Sequence, residues 1–292
     1  MQISFLIVTK NRPNELALTL IKLRSIVDLS AHEVLVFIDG CPKTELIIKD
    51  FQWVKWTVSK ESVSASPARH LLYQKAVGTI FIGLDDDAHP ISVDFINQVE
   101  KAFQVHDNLG ILAFQEVRGL FESDTDALTH SKRSTSYFTN DFVGCGFAVL
   151  KEVYNATDGF PVWMDIYGEE SALAIEVLDL GFKILYEPLI QINHRVDVEK
   201  RKQLGRNYFR FEHQLKNTIR FFIVYYKYPM LKILKVLWHN FVKYGLKNWR
   251  YFKSLTFVVF GTLFSLRKIL KHRNPVKTST LKTRLSLKLL NY

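Results

Sequence analysis

Thr79-Ile80-Phe81-Ile82-Gly83-Leu84-Asp85-Asp86-Asp87 is the stretch whose reading decides the fold. Thr79 to Leu84 is apolar at odd and even positions alike, the pattern of a strand buried on both faces of a parallel sheet. It runs straight into three carboxylates, and in open parallel sheets ligands bind beyond the carboxyl ends of strands. Two upstream runs repeat the pattern. Ile3–Val8 ends at Thr9-Lys10-Asn11-Arg12, and Val34–Ile38 ends at Asp39-Gly40. Between them, Leu16, Leu20, Leu23 and Ile26 recur at helical spacing behind Pro13, which suits a first helical turn. Trp53–Val58 reads as a third strand, and Pro67–Lys75 as a helix leading to Gly78. This alternation predicts an α/β fold with a mostly parallel sheet flanked by helices.

Three adjacent carboxylates repel one another unless a cation relieves them. On an extended chain Asp85 and Asp87 project to one side and Asp86 to the other. The outer pair could hold Mg²⁺ or Mn²⁺, with a diphosphate completing the octahedron. A solvated acidic turn before the next helix is the plainer alternative. Further on, Ile91–Phe103 has a helical pattern and Gly110–Phe114 a strand pattern. The Ser-, Thr- and charge-rich stretch Glu122–Asn140 reads as a loop. Phe142–Leu150 reads as a strand whose Gly144-Cys145-Gly146 lets something approach the backbone closely. Glu169–Leu180 follows as a helix, and Lys183–Tyr186 and Ile190–His194 as short strands.

The formal net charge of +10 conceals a division. Residues 1–194 hold 16 basic and 26 acidic side chains, whereas residues 195–292 hold 23 basic and 3 acidic ones. A hydrophobic fraction of 48% with 23% charged residues excludes a disordered chain. Two cysteines, Cys41 and Cys145, make neither a disulfide framework nor a zinc site by themselves and point to a reducing compartment. The longest charge-free apolar run in the basic part, Ser254 to Leu266, is 13 residues, short of the about 20 a membrane-spanning helix needs.

Taken in order, Thr9-Lys10-Asn11-Arg12-Pro13, Asp39-Gly40, Ala68-Arg69-His70, Leu84-Asp85-Asp86-Asp87, Asp158-Gly159-Phe160, Tyr167-Gly168-Glu169-Glu170, Gly181-Phe182, Tyr186-Glu187-Pro188 and His194 resemble a family 2 glycosyltransferase of the GT-A fold, over roughly residues 3–225. The resemblance implies a GT-A domain over residues 1–204 and leaves 205–292 as a basic, amphipathic helical extension. It implies transfer of a sugar, with inversion, from a nucleoside diphosphate sugar with Mn²⁺ or Mg²⁺ as cofactor. By the same resemblance Thr9, Asn11 and Arg12 contact the nucleotide and Asp39 the base, although this chain reads Ile-Asp-Gly where the family has two close acids. Arg69 would meet a phosphate or the base, Asp85 or Asp86 the nucleotide, and Asp87 the metal with His194. The base that takes the acceptor's proton would be Glu170, second of the pair Glu169-Glu170, where the family has Glu-Asp. Gly144 and Gly146 would border the donor sugar, while Trp163, with Met164 and Asp165, would touch the acceptor. The alternative for Arg69 is a surface pairing with Glu61, and for Glu169-Glu170 a helix start decorated with acids.

The basic part mixes Lys and Arg with Phe221-Phe222-Ile223-Val224-Tyr225-Tyr226, Trp238 and Trp249-Arg250-Tyr251-Phe252, the composition of interfacial helices on anionic lipid. The expected partners are a lipid-linked or polysaccharide acceptor and the inner face of the cell membrane, with the protein cytoplasmic and peripheral. The aliphatic content argues against nucleic acid. A packing arm that mediates a homodimer stays open, as does a non-catalytic scaffold. A sugar-nucleotide nucleotidyltransferase would want a Gly-rich phosphate loop after the first strand, and residues 9–13 contain no Gly. Thr278–Tyr292 is expected to be a poorly ordered end.

Overall fold

The computed structural model describes residues 2–132 and 134–290. Strand β1 (Ile3–Thr9) leads to helix α1 (Pro13–Arg24), then β2 (Glu33–Asp39), a short α2 (Pro42–Glu45), β3 (Lys55–Ser59), α3 (Ala65–Tyr73) and β4 (Ile80–Asp85). A hairpin-like return gives β5 (Ala88–Pro90), followed by α4 (Phe95–Val105), β6 (Leu109–Arg118), α5 (Asp124–Thr129), β7 (Tyr137–Thr139), β8 (Gly146–Leu150), α6 (Lys151–Asn155), α7 (Glu169–Asp179) and β9 (Lys183–His194). The chain ends in α8 (Val198–Gln203), α9 (Tyr208–Tyr225), α10 (Met230–Asn240), α11 (Trp249–Leu270) and α12 (Thr278–Ser286), with a π-helical turn at Phe241–Gly245.

The strands form one sheet in the order β3-β2-β1-β4-β8-β6-β9-β5, with β7 on β9. β3, β2, β1 and β4 are mutually parallel, and β8 runs antiparallel between β4 and β6. Alternation along the strands assigns the two faces. Ile3, Phe5 and Ile7 of β1, with Val34, Val36 and Ile38 of β2, lie under α1 and α4. Leu6, Leu35 and Phe37 lie under α3 and α7. Helix α1 has no side-chain cap at Arg12, a loss of about 1 kcal/mol. Leu16, Leu20 and Leu23 are fully buried beneath it, each worth roughly 2 kcal/mol, so packing outweighs the missing cap.

Several expectations need correction. The stretch Glu122–Asn140 is not loop throughout, since it contains α5 and β7. The strand expected from Phe142 starts only at Gly146, and residues 142–145 form a turn before it. The two short strands after α7 are one strand, β9, whose register against β6 shifts between Phe114 and Gln115. The end from Thr278 forms α12, tied down by hydrogen bonds from Lys277 N and Thr280 Oγ1 to Asp179. Asn291 and Tyr292, the last of that segment, lie outside the described residues.

Helix α9 begins just beyond residue 204, and it shares a core with α7. Met164, Ala172 and Ile175 pack with Leu215, Ile219, Phe221 and Val224. No helix among the described residues is long and apolar enough to cross a membrane.

Candidate active site

The carboxyl ends of β1, β2 and β4 open on one side of the sheet, and the loops after them carry Thr9–Arg12, Asp39 and Asp85–Asp87. The three aspartates separate at the turn that ends β4, with Arg12 reaching both Asp86 and Asp87. Asp86 turns inward, only 5% exposed, where Thr9 Oγ1 donates to it at 2.7 Å and Arg12 Nη1 pairs with it at 2.8 Å. Thr19 Oγ1 fixes its backbone oxygen at 2.8 Å. Burial pushes the Asp86 carboxyl up to about 7, with Arg12 and Thr9 offsetting part of the rise.

Asp85 and Asp87 project the other way and meet His194. Pairing of β5 with β9 sets Ala88 opposite His194, and Arg195 N donates to the Asp87 carbonyl at 2.9 Å, which brings His194 beside Asp87 from 107 residues away. His194 Nε2 lies 3.3 Å from Asp87 Oδ1, and Nδ1 bonds Glu116 of β6. One ligand atom each from Asp85, Asp87 and His194 falls within 4.8 Å of the others. Although burial opposes its charge, hydrogen bonds to Asp87, Cys145 and Glu116 hold His194 up to about 12. Burial likewise opposes ionisation of Asp87, yet His194 and Arg12 hold it well below the usual carboxylate range. Glu116, which holds His194 from β6, is not marked by any motif in the sequence. Its signal is a charged residue continuing the apolar strand Gly110–Phe114.

The residues also fit a divalent cation. Asp87 Oδ1 is buried with only the long 3.3 Å contact to His194 Nε2, and carboxylate oxygens with one imidazole suit Mn²⁺. Asp85, Asp87 and His194 would hold it.

Arg69 joins this group to a second. Its side chain is 11% exposed, and Nη2 pairs with Asp85 Oδ1 at 2.8 Å and with the Gly144 carbonyl at 3.3 Å. Nη1 faces Glu170 Oε1 at 3.2 Å and Glu169 Oε1 at 3.4 Å. A surface pairing with Glu61 is therefore ruled out. Burial and the neighbouring Glu170 raise the Glu169 carboxyl, more than Arg69 lowers it. The Glu170 side chain keeps 21% exposure and faces a cavity.

The Glu169-Glu170 pair is aimed by an uncommon backbone. Tyr167 and Gly168 both have positive φ, 70° and 101°, the left-handed region that L side chains resist. Asn217 of α9 holds this turn. Its Nδ2 donates to the carbonyls of Ile166 at 2.8 Å and Tyr167 at 2.9 Å, and to Asp165 Oδ1 at 3.1 Å. Nothing in the sequence pattern marks Asn217.

The remaining expected residues have other surroundings. Asp39 is 2% exposed and accepts from Ser62 Oγ at 2.6 Å and from the amides of Val63 and Ser64 at 2.6 and 3.2 Å, bracing the turn into α3. Asn11, also at positive φ, hydrogen-bonds Cys41 through its amide and side chain. Gly144 lies against Glu170 and Arg69, inside the site. Gly146 lies in β8 under Ile192, whose Cδ1 stands 1.5 Å from where a Cβ would be, so there the small residue serves the core. Trp163 packs near Tyr225 and His272, among the C-terminal helices, and Asp165 is paired with His213 and Lys216.

A sheet of this topology with carboxylates and a histidine gathered at its strand ends is the GT-A fold, a mostly parallel sheet flanked by helices, here with C-terminal helices added. Three solved structures share it. GalNAc-T7, crystallised with UDP, GalNAc and Mn²⁺, superposes with a TM-score of 0.62 at 17% identity over 79% of this chain and 49% of its own, so the present chain spans about half its length. The mannosyltransferase PcManGT from Pyrobaculum calidifontis, in complex with GDP-Man and Mn²⁺, gives 0.57 at 14% identity over 97% of this chain and 87% of its own. TarS from S. aureus, residues 1–349, gives 0.54 at 12% identity over 76% and 66%. No protein-family model and no curated protein sequence matches the chain.

Proposed function

We propose that the protein is a metal-dependent, inverting glycosyltransferase that moves a sugar from a nucleoside diphosphate sugar to a lipid-linked or polysaccharide acceptor in cell-surface glycan synthesis. One observation carries the reading: Arg69 binds Asp85 of the strand-end triplet and Glu169-Glu170 at the start of α7, so that carboxylates 84 and 85 positions apart share one cleft. Nucleotide-sugar ligands and Mn²⁺ in the structural neighbours support the same class.

A bound Mn²⁺ or Mg²⁺ would neutralise charge on the leaving diphosphate. This chain's residues supply the rest. Asp85, Asp87 and His194 would hold the cation, with Glu116 fixing the His194 ring. Thr9 and Arg12 would face the nucleotide beside Asp86 and Asp87, while Asn11 and Asp39 brace the loops around it through Cys41 and Ser62–Ser64. Glu170 takes the acceptor hydroxyl's proton while that oxygen attacks the anomeric carbon from the face opposite the diphosphate. The bond from the anomeric carbon to the diphosphate oxygen breaks, the nucleoside diphosphate leaves with that electron pair, and the proton ends on Glu170. Arg69 holds Asp85, Glu169 and Glu170 together, where unrelieved repulsion would scatter them.

The C-terminal helices support a site beside a membrane. Trp238, Phe257, Phe260 and Phe264 are 61–90% exposed, among lysines and arginines, and residues 213–292 contain no Asp or Glu. An apolar face with cationic borders fits an anionic bilayer surface. The deciding experiment is calorimetry with UDP and GDP plus Mn²⁺, followed by a screen of nucleotide-sugar donors. The reading fails if no nucleotide binds, or if Asp87→Ala and Glu170→Gln both transfer sugar at the wild-type rate.

A further inference from the structure

Arg195 follows His194 directly at the end of β9, and its side chain is only 7% exposed, between α1 and β5. Each nitrogen of its guanidinium has its own partner. Nε faces Glu15 Oε2 at 3.4 Å, and Nη1 donates to His89 Nδ1 at 2.6 Å. Nη2 donates to the Glu15 carbonyl at 2.9 Å and to Thr19 Oγ1 at 2.7 Å.

A guanidinium can only donate, so it fixes the hydrogens of its partners in turn. His89, buried in β5, accepts on Nδ1 and so carries its proton on Nε2, 3.0 Å from Asp124 Oδ1. The Thr19 hydroxyl, fully buried, accepts from Nη2 and gives its one hydrogen to the Asp86 carbonyl at 2.8 Å. The backbone of Arg195 meets the next carbonyl of the same turn, its amide donating to the Asp87 carbonyl at 2.9 Å. Both carbonyls of the Asp86–Asp87 turn are thus held from one residue, Asp87 by the amide and Asp86 by the guanidinium through Thr19.

We propose that Arg195 is a positioning residue for the cation site: through Thr19 it sets the Asp86–Asp87 turn, and with it the direction in which the Asp87 carboxylate meets a divalent cation. This role rests on Asp85, Asp87 and His194 as the cation's ligands. Its sign separates it from a charge effect. A guanidinium close to Asp86 and Asp87 repels a cation bound there, so a contribution through charge alone would make removal of Arg195 tighten binding. A contribution through position makes removal loosen the turn and weaken binding. Lysine keeps the charge, but one ammonium cannot span Glu15, His89 and Thr19 as the planar fork does. Mg²⁺ demands near-ideal octahedral ligands whereas Ca²⁺ accepts flexible ones, so a loosened turn weakens Mg²⁺ more.

The test is Mn²⁺ binding to the full chain, read from the electron paramagnetic resonance of the free ion, with Mg²⁺ and Ca²⁺ measured by displacement of Mn²⁺. Arg195→Ala should weaken Mn²⁺ binding about ten-fold or more, and Arg195→Lys at least as much. Mg²⁺ affinity should fall several-fold further than Ca²⁺ affinity. Thr19→Val, which keeps the shape of the side chain and removes the hydroxyl, should reproduce the loss. The double variant should lose no more than either single one, because both break the same link. Thr19→Val also keeps the test decisive if Arg195→Ala does not fold. Unchanged or tighter Mn²⁺ binding in the folded variants overturns the proposal, as do additive losses in the double variant or equal losses for Mg²⁺ and Ca²⁺. Wild-type protein that binds no Mn²⁺ overturns the cation site and this role together, whereas unchanged variants of a wild type that does bind it overturn the role of Arg195 alone.

Discussion

Replacing Gly144 by Ala should disable the site without unfolding the protein. The added Cβ would stand 2.2 Å from Glu170 Oε1 and 2.7 and 2.8 Å from the two terminal nitrogens of Arg69. Ordinary contact is about 3.5 Å, so the carboxylate must retreat by more than an ångström. Arg69 is buried and held by Asp85, Glu169 and the Gly144 carbonyl, whereas Glu170 is partly exposed, so Glu170 yields first. No left-handed backbone requires a glycine at this position, and the obstructing atoms are side-chain ends, so the cost to folding should stay below about 1 kcal/mol. A misplacement of about 1 Å in a reacting group costs on the order of 100-fold in rate. Sugar transfer at saturating donor and Mn²⁺, followed by nucleotide release, should therefore fall about 100-fold in kcat. The melting temperature and nucleotide affinity should stay near wild type. A variant that folds normally and transfers at the wild-type rate would refute the placement of Glu170 at the reacting hydroxyl.

Three further outcomes test other parts of the structure. Asn217→Ala removes three hydrogen bonds from the turn that carries Tyr167 at positive φ; a loss of about 2–3 kcal/mol is expected in denaturant unfolding, together with a lower transfer rate, and an unchanged unfolding midpoint would count against the role of Asn217. Burial pushes the Glu176 carboxyl up to about 7, with hydrogen bonds from Tyr225 and the Asp158 amide offsetting part of the rise. The folded state then holds a proton the unfolded chain has released, so this group's contribution is present below about pH 4.5 and is lost as pH rises to about 7, a change of roughly 3 kcal/mol. Melting curves from pH 5 to 8 should fall more steeply for wild type than for Glu176→Gln, and parallel curves would contradict this. Phe257→Ser with Phe264→Ser, both on exposed positions of α11, should reduce co-sedimentation with phosphatidylserine vesicles several-fold while leaving the melting temperature unchanged; equal sedimentation would remove the membrane-docking role from that face.

How much of this was legible in the sequence depended on the range of the interaction involved. β1, β2 and β4 showed as apolar runs, because a strand buried on both faces must be apolar throughout and that requirement is local. The turn into β8 has a strand-like sequence, because apolar residues before Gly144 pack in the core whether or not they pair. β9 looks like two pieces in the sequence, because Pro188 cannot donate to a ladder and the strand passes that point with a register shift. The Asp85–Asp87 triplet was conspicuous, because three adjacent charges are improbable without a cause. Asp86 and Asp87 lie in the turn after β4, so their directions follow from the turn and from Arg12 rather than from strand alternation.

The sequence by itself determined the α/β class, the strand-end carboxylates and the acidic pair opening α7. All of these follow from neighbours within a few positions along the chain. Only the tertiary structure decided that Arg69 joins the two carboxylate groups, that Glu116 holds His194, and that Asn217 aims the turn before Glu169. Each of those contacts crosses between residues far apart in the chain, and no local spacing records which distant side chain will fill a given gap. The basic C-terminal part shows the division most clearly. Its amphipathic pattern announced apolar faces that need covering, but packing alone decided that α9 shares a core with α7 and with Val258 and Ile269 of α11, while Trp238 of α10 and Phe257, Phe260 and Phe264 of α11 stay exposed.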